Sequence, residues 1–278
     1  MTAREMLLYV GERLKKAGIE EYQYESRAFL EWIFGINRSD YYMNPEVLLP
    51  EEKINELEEK LSAREKRVPL QYLMGTCEFM GYSFQVDERV LIPRQDTECL
   101  VEEAISLLAN CPKPKVLDLC CGSGCIGISI KKLRPDAEVT LSDLSGDALA
   151  VAGANAKNLG AEVRLLQGDL FEKISDSFDC IVSNPPYIPS ETIEGLMPEV
   201  RDYEPRMALD GAGDGLFFYK RIAKEAPSRL KPGGWLLMEI GLEQGESLCH
   251  ILKGEEFAPA KVKKDLVGLD RIVTARRL

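Results

Sequence analysis

The sequence predicts an α/β protein: a seven-stranded, mostly parallel sheet, preceded by a small helical bundle and joined to it by a β-hairpin. Three observations carry this. Residues 1–75 set apolar side chains at helical spacing. Residues 76–93 turn aromatic and β-branched around Gly81. From Asp96 onward, short apolar runs alternate with helical stretches, and such alternation builds parallel sheets with right-handed crossovers.

In the first segment, Leu7, Leu8 and Leu14, then Phe29, Leu30 and Ile33, recur at helix-like intervals. Pro50 opens a third helix. Glu51 and Glu52 fall in its first turn and Arg64, Lys66 and Arg67 in its last, an order that suits the helix dipole. Ile54, Leu57 and Leu61 form its apolar stripe, which reads as core. No catalytic constellation stands out in residues 1–75. In residues 76–93, Phe79, Tyr82, Phe84, Val86, Val90 and Leu91 surround Gly81 and Asp87, the pattern of a hairpin linker. Residues 94–278 form the second domain. Its strands are expected at 115–120, 138–142, 162–167, 178–183, 234–240, 257–262 and 271–275.

The first of these strands runs into Cys120-Cys121-Gly122-Ser123-Gly124 and then a helix start. Glycines in such a turn let a ligand approach the backbone, and the helix N-terminus faces it. Asp143 follows Gly124 by 19 residues, at the end of the second strand, where an acid can bind ribose hydroxyls. Gly168-Asp169-Leu170-Phe171 closes the third strand, placed to cover an adenine with a polar group and a ring. Singly, Asp118, Asp143 and Asp169 read as caps or turn residues. Three acids at consecutive strand ends read together as a nucleotide-type cofactor site. In a 3-2-1-4-5 strand order the crevice lies where the order reverses, so Cys121-Gly122 would face Asn184.

Asn184-Pro185-Pro186-Tyr187 ends the fourth strand. As a bare tetrapeptide it also reads as a strand-stopping turn. Chemically it suits a planar –NH2 group, whose lone pair is delocalised. The Asn184 oxygen and a neighbouring carbonyl can accept both N–H bonds. The prolines remove competing donors, and Tyr187 offers a face for stacking.

The net charge of −11 argues against affinity built on neutralising phosphates and suits a protein partner. Of 278 residues, 45% are hydrophobic, without the run of about 18 needed to cross a membrane. The N-terminus lacks a signal-peptide core, so a cytoplasmic location is expected. Eight cysteines without a Cys-x-x-Cys pair, and one histidine, His250, point away from zinc and from triad chemistry. No metal is expected.

Several stretches then fall in a distinctive order: Pro69-Leu70-Gln71-Tyr72-Leu73-Met74-Gly75, Val90-Leu91-Ile92-Pro93-Arg94-Gln95-Asp96-Thr97-Glu98, Val182-Ser183-Asn184-Pro185-Pro186-Tyr187-Ile188, and Tyr203-Glu204-Pro205-Arg206 before Asp214-Gly215-Leu216. Together they resemble the HemK/PrmC family, bacterial methyltransferases that modify a glutamine in class 1 peptide-chain release factors. The resemblance spans nearly the whole chain. It implies a Rossmann-like class I methyltransferase sheet, with S-adenosyl-L-methionine as methyl donor. Cys120, Cys121, Gly122, Ser123, Gly124, Asp143 and Phe171 would contact the donor. Asn184, Pro185, Pro186 and Tyr187 would hold the target glutamine of a Gly-Gly-Gln tripeptide, with Asn184 also near the donor. Arg94 and Thr97 would lie near the cofactor. Residues 1–75 would dock the release factor, and the chain would act as a monomer without direct contact to nucleic acid. Two positions depart from the family pattern. Cys120 stands where glycine is usual, so its backbone is expected to avoid glycine-only regions. Gln95 replaces the second proline of Pro-Arg-Pro. The rival enzyme reading is an amino-methyltransferase of nucleic-acid bases, which would need a basic channel. The non-enzyme reading is a cofactor-binding scaffold on the translation machinery.

Overall fold

The computed structural model describes residues 1–265 and 267–278. The chain packs as two compact units, one of Met1–Gly75 with Met197–Tyr203, the other of Thr76–Leu196 with Glu204–Leu278.

In the first unit, helix Ala3–Lys16 begins at a capping box, where Thr2 accepts from Glu5 N and the Glu5 carboxylate accepts from Thr2 N. At about 100° per residue, Met6, Val10 and Leu14 share the buried face while Leu8 points to solvent, 63% exposed. Of the helix-spaced Leu7, Leu8 and Leu14, only Leu14 is fully buried. Helix Tyr22–Phe34 stops at Gly35, whose φ of 72° suits a residue without Cβ. Helix Glu51–Glu65 follows Pro50. Two short helices, Arg38–Met43 and Leu70–Met74, are too brief to show a periodicity. Helix Pro198–Tyr203 returns to this unit. It is fastened by Arg64, which is buried and donates to Glu25 at 2.7 and 2.9 Å and to Glu199 at 2.8 Å.

The second unit opens with the hairpin of β1 (Thr76–Phe79) and β2 (Tyr82–Gln85). Its sheet contains β3 (Lys115–Leu119), β4 (Glu138–Asp143), β5 (Val163–Gln167), β6 (Phe178–Ser183), β7 (Leu230–Glu239), β8 (Lys261–Lys264) and β9 (Asp270–Arg276), in the order β5-β4-β3-β6-β7-β9-β8. Strands β5 to β7 pair in parallel, and β9 runs antiparallel between β7 and β8. Both faces are covered. Val116, Leu141 and Val182 pack on one side with helices Glu98–Leu107, Cys125–Leu133 and Gly146–Asn158. Leu117, Ile181 and Met238 pack on the other with helices Phe217–Glu225 and Gly245–Lys253. The strand expected from Phe257 starts only at Lys261, with Phe257 making one isolated bridge to Arg277. Pro259 has no N–H to continue that ladder. No helix among the described residues is long and apolar enough to cross a membrane.

Candidate active site

The chain leaves β3 toward β4 on one side and returns through β6 on the other. The carboxyl ends of β3 and β6 therefore part around a crevice. A cleft opens there. The buried Ser183 hydroxyl donates to Leu119 O at 2.7 Å and ties the two strand ends together.

One wall is the turn after β3. Cys120, Gly122 and Gly124 have φ of 61°, 53° and 78°, which swing the chain from strand to helix. Cys120 thus adopts the left-handed conformation that its Cβ was expected to avoid. The turn demands it, because Cys121 N must reach Ser142 O at 3.0 Å and Gly122 N must reach Asp143 Oδ2 at 2.8 Å. The cost for a residue with a Cβ is about 1–2 kcal/mol. Asn155 fixes the turn from behind: Nδ2 donates to Ser123 O and to Gln85 O, both at 3.0 Å, and Oδ1 accepts from Gln85 N at 2.7 Å. The same side chain therefore pins the hairpin to this unit. Gly127 lets helix Cys125–Leu133 close on the sheet, since a Cβ there would lie 2.3 Å from Leu141. Its N–H meets Asp118 Oδ2 at 2.8 Å. Asp118 is fully buried, and burial pushes its carboxyl up to about 7.

Asp143 lines the cleft. Its Oδ2 accepts from Gly122 N and its Oδ1 from Ser145 N at 2.9 Å. Burial raises its carboxyl above the usual range, although these N–H groups oppose the rise. Each oxygen keeps a lone pair for a hydroxyl donor. Asp169 also lines the cleft but is gripped by Arg221 through two bonds of 3.0 Å. Phe171 does not reach the cleft. Leu170, at φ 49°, turns the backbone there, so Leu170 joins the wall and Phe171 enters the core with Ile174 and Phe178. The aromatic residue on the wall is Phe218. Burial raises the Cys120, Cys121 and Cys125 thiols, so they serve as small neutral wall residues.

The opposite wall carries Asn184 and Pro186. No hydrogen bond ties the Asn184 side chain to another described residue, and it lines the same cleft as Gly122, where an added Cβ would meet no atom within 4 Å. Gly124, Pro185 and Tyr187 stand behind the wall. Gly124 is a packing glycine, where a Cβ would press on Ile128 at 2.9 Å. Tyr187 is itself partly buried and packs against the core of Leu117, Ile181 and Met238. Its hydroxyl approaches the buried Glu239, and burial raises both groups. Arg94 and Thr97 line the cleft as well, with Arg94 held by the buried Glu204. Among the described residues, no group of three His, Cys, Asp or Glu could hold a metal ion.

The residues fit a nucleotide-type methyl donor: a backbone cradle left open at Gly122, an acid with spare lone pairs at Asp143, and apolar walls from Leu91, Ile126 and Phe218. This fold and cleft are those of a Rossmann-like class I methyltransferase. Residues 97–196 match the methyltransferase small domain family, and residues 5–75 the PrmC N-terminal domain family. The release factor glutamine methyltransferase of Geobacter sulfurreducens is 42% identical, over 99% of this chain and 96% of its own. That of Clostridium acetobutylicum is 39% identical, over 100% and 99%. Among solved structures, the 16S rRNA N2 G1207 methyltransferase of T. thermophilus, in complex with AdoMet and guanosine, superposes with a TM-score of 0.53. It is 17% identical, and the match covers 73% of this chain and 50% of that one. This last likeness is one of fold. The chain belongs to the release factor glutamine methyltransferase family.

Sequence reasoning missed Leu170 and Phe218 in the cleft, and Glu239 and Gln244 behind it. Gln244 follows β7 in an ordinary-looking loop. Only its hydrogen bonds, to Tyr187 O and from Gly241 N, both 2.9 Å, reveal its place.

Proposed function

We propose that this protein transfers a methyl group from S-adenosyl-L-methionine to the side-chain nitrogen of the glutamine in the Gly-Gly-Gln motif of class 1 peptide-chain release factors. The observation that carries the reading is the juxtaposition in one cleft of the open turn at Gly122 and the unpartnered Asn184 side chain. When bound, S-adenosyl-L-methionine supplies an electrophilic methyl group. Cys120 to Ser123 would form its backbone cradle, Asp143 would accept from its ribose hydroxyls, and Asp169 and Leu170 would line the adenine side.

The Asn184 oxygen and the Pro185 carbonyl accept the two N–H bonds of the target amide. Off-plane acceptors draw the nitrogen toward a pyramidal geometry and free its lone pair. As the nitrogen gains positive charge, these two bonds strengthen, so they favour the transition state over the ground state. Tyr187 backs the seat of the amide. Positioning of two reactants supplies roughly 7–11 kcal/mol in well-oriented systems, and the product proton leaves to water. The first unit serves to dock the release factor. The protein acts as a cytoplasmic monomer without direct nucleic-acid contact.

The test is methyl transfer from labelled donor to a purified class 1 release factor, beside its Gly-Gly-Ala variant and total RNA and DNA. Label in the factor that vanishes in the variant supports the reading. Label in nucleic acid alone would transfer the Asn184 chemistry to a base amine. Donor binding without label anywhere would favour a scaffold.

A further inference from the structure

Tyr187 is held at both ends by residues outside its own motif. Its carbonyl accepts from Gln244 Nε2 at 2.9 Å, and its hydroxyl donates to Glu239 Oε1 at 3.4 Å. Both partners come from the carboxyl end of β7 and the turn that follows. Gln244 is fixed in turn, because its Oε1 accepts from Gly241 N at 2.9 Å. The Tyr219 hydroxyl lies 2.9 Å from the Glu239 carbonyl oxygen and 3.3 Å from Gln244 Oε1. The far side of Tyr187 is closed by backbone: a Cβ at Gly211 would lie 2.7 Å from its Cα, and one at Gly215 only 2.4 Å from its carbonyl oxygen.

Glu239 is 2% exposed, and its Oε2 has no hydrogen-bond partner among the described residues. A buried carboxyl with an unfilled oxygen is costly. Its neighbours Met238 and Ile240 are apolar, so the β7 ladder alone gives no reason for an acid here. Thr97, Arg271 and Tyr187 are the groups that favour its charged form, and of these Tyr187 belongs to the Asn-Pro-Pro-Tyr motif. At 3.4 Å the bond to Tyr187 is longer than an ordinary O–H···O bond, which is common at catalytic sites before substrate binds.

We propose that Glu239 and Gln244 are positioning residues for methyl transfer. They grip the hydroxyl and the carbonyl of Tyr187, and so set the angle at which the Tyr187 ring and, across the stiff Pro185-Pro186 link, the Asn184 oxygen meet the target amide. The inference rests on Asn184 and Tyr187 seating that amide. Their contribution is sensitive to geometry, because a misplacement of about 1 Å can cost roughly a hundredfold in rate.

The experiment is a double-mutant cycle in the full chain, with a class 1 release factor as substrate. It measures kcat, and KM for donor and factor, in Glu239→Ala, Tyr187→Phe and the double variant, with Glu239→Gln as conservative control. Glu239→Ala should lower kcat about tenfold, the scale of one hydrogen bond to a charged group, and leave donor KM within about twofold. Glu239→Gln keeps an oxygen acceptor and should recover most of the rate. In the Tyr187→Phe background, Glu239→Ala should change kcat less than about twofold, since the hydroxyl it acts through is gone. Equal losses in both backgrounds, or full activity in Glu239→Ala, would overturn the clamp. Glu239→Leu, which fills a similar volume without a charge, repeats the cycle if the alanine variant does not fold. Normal turnover in both Tyr187→Phe and Tyr187→Ala would mark a different failure, that of the Tyr187 assignment, and the clamp would fall with it.

Discussion

Replacing Asp143 by alanine should weaken donor binding by roughly 10–150-fold. The carboxylate receives two backbone N–H groups, from Gly122 at 2.8 Å and Ser145 at 2.9 Å, and retains lone pairs on the cleft side. Hydrogen bonds to a charged group contribute roughly 1.5–3 kcal/mol, which corresponds to that range of affinity. The same substitution strands the Gly122 and Ser145 donors, so the turn should also loosen. Titration calorimetry with S-adenosyl-L-methionine and with a donor lacking the ribose 2′-hydroxyl separates the two effects. In the wild type the missing hydroxyl should cost affinity; in Asp143→Ala it should cost little more. An unchanged affinity in Asp143→Ala refutes the ribose assignment. An equal penalty for the missing hydroxyl in both proteins means that Asp143 shapes the turn and touches no hydroxyl.

Asn184→Ala should cut turnover at least about a hundredfold, the loss typical of one key polar stabiliser, while donor affinity by calorimetry falls far less; near-normal turnover removes Asn184 from the mechanism. Burial raises the Asp118 carboxyl in the folded chain to about 7 from the ordinary aspartate value of 3.8. The folded chain therefore holds a proton that the unfolded chain has lost between about pH 4 and 7, and stability declines as pH rises through that window. Asp118→Asn keeps an acceptor for Gly127 N and should be more stable than wild type at pH 8, on the order of 2 kcal/mol. That advantage should fade toward pH 4, read from urea midpoints at each pH; a constant difference across pH would show that Asp118 does not titrate there. Arg64→Leu leaves Glu25 buried without its ion-pair partner and Glu199 held by Arg67 alone, and should cost about 3–5 kcal/mol in chemical denaturation. A loss below about 1 kcal/mol would mean that the network contributes little.

By itself the sequence determined the features that depend on local backbone chemistry. The glycine turn after β3, the acid at the end of β4 and the Asn-Pro-Pro turn after β6 are legible because each needs particular residue types at fixed spacing. The alternation of strands and helices likewise announces a parallel sheet, and Pro50 marks the start of its helix. Tertiary structure decided where side chains point and which distant groups they meet. Phe171 faces the core because left-handed Leu170 turns the chain just before it. Cys120 accepts a left-handed φ because bonds to β4 hold its neighbours in place. Glu199 returns to Arg64 across 135 residues, and Gln244 reaches back 57 residues to Tyr187. A glutamine in a loop or a glutamate in an apolar strand has no local pattern that names its partner. Such pairs exist only once the sheet has brought their strand ends together.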